Sequence, residues 1–234
     1  MQVVSAGPVK SALAVLTEAK PFRSVSEEAR QALLQSGQIL SFKSGSLLFQ
    51  HGEPGGSMFV VISGLIEVSV LTPDGRKISL NRLGPGQCFG EISMIDGMPR
   101  TADTVALGDA RLLSISREAF FDTSQRYPEL GLAMVQLLCE RVRWLSDSVE
   151  DYAILPLERR LARRLLVLFD RFGDEERSIK IAQADLADFV GATRESINKI
   201  LIAWRKRGLI GISRKAIQLI DQDGLSSVAS LAAD

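Results

Sequence analysis

Residues 182–207 read AQADLADFVGATRESINKILIAWRKR. Two short helices joined by a tight turn at Gly191 account for this stretch. Leu186, Ala187, Val190, Ile197, Ile200, Leu201 and Trp204 recur at helical spacing and form one apolar seam. Thr193 stands where an N-cap starts the second helix, because its hydroxyl can accept from a free backbone N–H. Arg194, Glu195, Asn198 and Lys199 point away from the seam. They are donors and acceptors suited to base edges, on a helix able to enter a major groove. An amphipathic hairpin with a solvated polar face fits the spacing too, but the residues that follow favour nucleic acid. Residues 208–220 are β-rich with a basic turn at Arg214-Lys215, which reads as the wing of a winged helix-turn-helix.

Charge distribution agrees. The 234-residue chain has zero formal net charge, yet residues 1–155 hold 14 Lys+Arg against 17 Asp+Glu, while residues 156–218 hold 14 against 8. A basic carboxy-terminal module beside an acidic amino-terminal one is the electrostatic footprint of phosphate contact. No apolar run reaches the roughly 18 residues of a bilayer span, and Met1–Lys20 lacks the pattern of a signal peptide. No membrane association and a cytoplasmic location are therefore expected. Two distant cysteines, Cys88 and Cys139, suggest neither a disulfide framework nor a metal site. With one histidine, His51, and no nucleophile–base constellation, the composition points away from an enzyme.

The amino-terminal half is built differently. From about Ile39 to Ser116, β-rich runs alternate with glycine turns. Residues 59–62, 65–70 and 110–115 are strand-like, and Thr72-Pro-Asp-Gly-Arg76 is a turn. The expectation is an α+β protein: an antiparallel β-barrel or jelly roll flanked by helices at 9–20, 26–36 and 117–123. Between Pro128 and Pro156, Met134, Leu138, Val142, Leu145, Val149 and Tyr152 are spaced 4, 4, 3, 4, 3. Such a seam calls for a partner helix, and a long dimerisation helix making a homodimer is expected, with Pro156 as a hinge. Three segments follow: a sensor at 1–127, the dimer helix at 128–155 and a DNA-reading domain at 156–234.

One loop within the β region, FGEISMIDGMPRTA at 89–102, is not a simple turn. Gly90 permits close backbone approach, Glu91 can accept from sugar hydroxyls, and the Arg100 guanidinium suits a phosphate. A short helical turn after Glu91 can offer backbone N–H groups to an anion. A Glu91–Arg100 salt bridge closing the loop is the alternative.

This loop resembles the phosphate-binding cassette of cyclic-nucleotide-binding domains, through Phe89, Gly90, Glu91, Ile92, Ser93, Pro99, Arg100, Thr101 and Ala102. The carboxy-terminal motif resembles that of the cAMP receptor protein / FNR family of bacterial transcription regulators. The resemblance implies a homodimer that binds double-stranded DNA at a palindromic site, works with RNA polymerase, and takes a cyclic nucleotide and no metal. It places the ribose hydroxyl on Glu91 and the cyclic phosphate on Arg100, with Gly90, Ile92, Ser93 and Thr101 around them. It sets Leu145-Ser146 where cAMP-responsive relatives carry the Thr-Ser pair that reads adenine. The serine is kept. A hydroxyl at Thr101 is the feature of cGMP-preferring domains. The effector order is cAMP, then cGMP, then a ligand-independent or other-nucleotide regulator. The family's Arg-Glu-x-x-x-Arg reading pattern falls on Arg194, Glu195 and Lys199.

Overall fold

The computed structural model describes residues 9–73, 75, 77–213 and 216–230. They divide into two compact units. One comprises the chain up to Val70 with Leu80–Arg143, the other Leu71–Ser79 with the chain from Trp144 onward.

In the first unit, helices α1 (Val9–Glu18) and α2 (Glu27–Ser36) precede the strands. Ser26 caps α2 by accepting from the Ala29 N–H. Strands β1 (Gln38–Phe42), β3 (Ser57–Ser63), β6 (Cys88–Phe89) and β8 (Ala110–Ser116) form one antiparallel sheet in the order β1-β8-β3-β6. Strands β2 (Leu47–Phe49), β4 (Ile66–Leu71), β5 (Lys77–Leu83) and β7 (Asp103–Ala106) form a second, ordered β2-β7-β4-β5. Two facing sheets make this a jelly roll rather than a closed barrel. Helix α3 (Glu91–Asp96) lies in the loop after β6, and α4 (Arg117–Arg126) follows β8.

Strand β3 shows why residues 59–62 carry no polar alternation. Met58 and Val60 pack outward with Leu16, Phe22, Leu33, Leu113 and Ile115 against the helices. Phe59 and Val61 pack inward with Phe49, Ile66, Leu83, Phe89 and Leu112 between the sheets. A strand buried on both faces reads as a continuous apolar run.

Helix α5 spans Glu129–Ile154. It ends where Pro156, the N-cap of α6 (Leu157–Phe172), removes a backbone donor. Its inward stripe in the first unit is Leu130, Ala133, Met134 and Leu137. Met134, expected on the partner-facing seam, is 3% exposed and belongs to the core of its own unit. Leu138 is half-buried. The large apolar side chains that α5 turns outward include Leu132, Val135, Val142, Leu145 and Val149, each at least half exposed, with Ile154 at its end. Tyr152 lies on the helix, and its side chain is outside the described residues.

In the second unit, α6, α7 (Gln183–Val190), α8 (Arg194–Lys206) and α9 (Gln222–Ser230) pack beside a three-stranded antiparallel sheet. That sheet joins β9 (Ser178–Lys180), β10 (Ile210–Ile212) and β11 (Ala216–Leu219) in the order β10-β11-β9. The apolar seam found in the sequence is the middle of its core. Leu186, Ala187, Val190, Ile197, Leu201 and Trp204 are buried with Leu161, Leu165, Ile210 and Leu225, and Ile200 packs at the edge. The Trp204 indole N–H donates to Glu158 Oε1 at 2.8 Å, so the largest core side chain keeps its polar edge satisfied. Because Leu201 is wholly buried, Leu201→Ala should lower unfolding free energy by about 2–5 kcal/mol, read by urea denaturation.

Candidate functional site

Arg100 is the centre of the loop at 89–102. Its side chain is buried, with the residue 5% exposed. Nη1 donates to the Ser57 carbonyl at 2.8 Å, the Gly90 carbonyl at 3.0 Å and Ser93 Oγ at 2.8 Å. Nη2 donates to Ser57 Oγ at 3.3 Å. The guanidinium lies 4.1 Å over the Phe49 ring and 5.7 Å from that of Phe59. Phe49, Phe59 and Phe89 form a cluster with centroid separations of 5.2–6.0 Å, and a cation over such faces is stabilised by their quadrupoles. Among the described residues no carboxylate pairs with Arg100, and its Nε has no hydrogen-bond partner. Burial pushes the guanidinium below its ordinary pKa, while the fields of Glu53 and Glu91 pull it back up.

The backbone leaves room for this side chain at one point. Gly90 has φ 76°, and a Cβ there would sit 2.6 Å from Arg100 Nη1. Only glycine meets both conditions cheaply.

Glu91 is buried at the start of α3. It does not pair with Arg100. Its Oε1 accepts from Arg141 Nε at 3.3 Å, and Arg141 Nη2 also donates to the Cys88 carbonyl at 2.6 Å. The loop-closing Glu91–Arg100 bridge is thus replaced by one that ties the cassette to α5. Arg141 is the residue that sequence reasoning missed. It stands one helical turn before Leu145, on the same face. Ser57 was missed as well, and no side-chain pattern signals a backbone carbonyl. Ser93 is buried, Ile92 is 38% exposed, and Thr101 is exposed. Ser146 is exposed on α5.

Cys88, under the same cluster, is fully enclosed, and burial pushes its thiol far above the usual range. Cys139 is exposed. At pH 8 a thiol reagent should titrate Cys139 alone in native protein and both cysteines after denaturation.

The carboxy-terminal motif presents its own surface. Gly191 ends α7 in the left-handed region at φ 65°. Thr193 Oγ1 accepts from the Ser196 N–H at 3.2 Å and so caps α8. Arg194, Glu195 and Lys199 are exposed, and Asn198 is half-buried at the edge of the same face. Glu195 and Lys199 pair at 2.9 Å, four residues apart and both more than 70% exposed. A pair of that kind contributes about 0.3–0.5 kcal/mol. Arg160 Nε anchors the end of α7 by donating to the Val190 carbonyl at 3.1 Å. The antiparallel β10–β11 ladder forms the wing. Arg214 and Lys215, expected in the wing's turn, lie outside the described residues. No helix among the described residues is long and apolar enough to cross a membrane, and none of their acid, His or Cys groups cluster as a metal site.

A jelly roll carrying this cassette, followed along the same chain by a winged helix-turn-helix, has the make-up of a DNA-binding regulator. Residues 39–127 match the cyclic nucleotide-binding domain, and residues 159–228 match the Crp-like helix-turn-helix domain. The CRP-like cAMP-activated global transcriptional regulator of Mycobacterium tuberculosis (strain CDC 1551 / Oshkosh) is 31% identical over 217 residues, covering 91% of this chain and 97% of that protein. The Thermus thermophilus catabolite activator protein is 26% identical, with 90% and 98% of the chains covered and a TM-score of 0.55. FixK2 from Bradyrhizobium japonicum shares the fold at a TM-score of 0.76 and 18% identity, with 84% and 99% covered. The chain belongs to the CRP/FNR family of transcription regulators, with a cyclic-nucleotide-binding domain and a helix-turn-helix DNA-binding domain.

Proposed function

We propose that this protein is a homodimeric transcription regulator that reads an inverted-repeat operator under the control of a cyclic nucleotide, cAMP first and cGMP second. The supporting observation is Arg100: a buried cation that, among the described residues, has no carboxylate partner and keeps an unspent Nε donor. A buried charge needs a counter-charge, and a cyclic phosphate supplies one. Glu91, buried nearby and paired with Arg141, is the acceptor for the ribose hydroxyl. The cAMP-activated relative at 31% identity supports adenine as the base, and Thr101 keeps cGMP second.

The division into a sensor (1–127), a dimer helix (128–155) and a DNA reader (156–234) belongs to this reading. The outward apolar stripe Leu132, Val135, Val142 and Val149 follows steps of 3, 7 and 7 along α5. That is the heptad spacing of a helix–helix seam, and it supports two-fold pairing of α5, with Leu138 and Leu145 at its margins. A two-fold dimer spaces its recognition helices about one DNA turn apart. Arg194 donates to a guanine, Glu195 accepts from a cytosine amine, and Lys199, Arg214 and Lys215 meet phosphate or base edges. RNA polymerase is the further partner and the cytoplasm the site of action.

A ligand raises DNA affinity only by binding the DNA-competent arrangement more tightly than the other. Fluorescence anisotropy on an inverted-repeat probe should therefore show tighter binding with cAMP or cGMP. Arg194→Ala should cost about 1–3 kcal/mol on that probe. Arg100→Ala should weaken nucleotide binding roughly 30- to 1000-fold and abolish the ligand effect. DNA binding unchanged by either nucleotide would leave a constitutive regulator.

A further inference from the structure

Strand β7 carries a side chain that its surroundings do not explain. Thr104 is 1% exposed, and among the described residues its Oγ1 has no hydrogen-bond partner. It is paired across the ladder with Val68 on β4 and Phe49 on β2. Directly paired residues of antiparallel strands share a face. Val68 and Phe49 both face the apolar space between the sheets, so the Thr104 hydroxyl is aimed into that space. Ala106, two residues on, lies on the same face and is apolar. A valine would fill the Thr104 position without an orphaned donor, and an unmade buried hydrogen bond destabilises. Its neighbour Phe49 is the ring on which the Arg100 guanidinium lies.

We propose that Thr104 is a ligand-contacting residue of the effector pocket. In the bound state its hydroxyl donates to an oxygen on the phosphate–sugar side of the nucleotide, beside Arg100. The inference rests on the cyclic-nucleotide reading above. Two buried donors, Arg100 Nε and Thr104 Oγ1, stand unsatisfied around one phenylalanine. An anionic sugar phosphate is rich in acceptors, and a ligand carrying several accounts for both donors at once. The free protein bears the cost of the orphaned hydroxyl, and ligand binding recovers it.

The test titrates the full chain with cAMP and with cGMP by calorimetry, comparing wild type, Thr104→Val and Thr104→Ser, with thermal unfolding alongside. Thr104→Val removes the donor and keeps the shape. It should hold or raise the unfolding midpoint of the free protein while raising Kd about five- to twentyfold. Thr104→Ser keeps the donor and should stay within about threefold of wild type. A residue serving only the fold would move the midpoint and leave Kd alone. Wild type that binds while Thr104→Val binds equally tightly overturns the contact and leaves the effector reading standing. Wild type that binds neither nucleotide overturns the effector reading and the contact with it.

Discussion

A guanidinium held in the interior of a β-sheet domain without a carboxylate is an expensive arrangement, and much of the first unit is arranged around it. Arg100 is tolerated because two carbonyls, two hydroxyls and an aromatic face share its charge. Each of those groups places a demand on the chain. Gly90 must adopt a left-handed conformation and lack a Cβ. Gly55 must be bare, since a Cβ there would lie 2.3 Å from Ser93 Oγ. Ser57 must stand at the start of β3 with its carbonyl turned inward, and three phenylalanines must converge from β2, β3 and β6. The solvation of the cation remains incomplete, since among the described residues Nε has no hydrogen-bond partner.

Helix α5 is where the pocket acquires consequences. Arg141 reaches from it to Glu91 and to the Cys88 carbonyl, which ties the cassette to this helix. Further along, within the second unit, Asp151 accepts from Arg163 at 2.7 Å and Ser148 from Arg164 Nη2 at 2.9 Å. These contacts join residues on either side of Pro156. Leu132, Val135, Val142, Leu145 and Val149 give this helix an exposed apolar face.

The helix-turn-helix was legible in sequence because a 3.6-residue period, a glycine and a threonine cap all point to the same structure. The jelly roll was legible as glycine-punctuated strands, although its arrangement as two sheets was not, since strand order depends on pairings far apart in the chain. Met134 shows a limit of periodicity. An amphipathic helix buried on one side and apolar on the other carries two stripes, and spacing alone mixed them: Val142 and Val149 are on the outward one, Met134 on the inward one. The cassette residues were found through their motif. The partner of Glu91 was not, because the contact spans fifty residues. Thr104 gave no signal either. A threonine is ordinary in a strand, and only its burial without a partner makes it unusual. Helix α9 went unread for the same reason, as its short apolar pattern gains meaning only against α6.

The central claim is that the buried Arg100 site is built for a nucleotide's charge rather than for its base. Calorimetric titration of the full chain with cAMP, and in parallel with the uncharged nucleoside adenosine, tests it most directly. The account predicts saturable cAMP binding with adenosine weaker by about a hundredfold or more, the share expected of a charge-assisted phosphate contact. Adenosine binding as tightly as cAMP would contradict it.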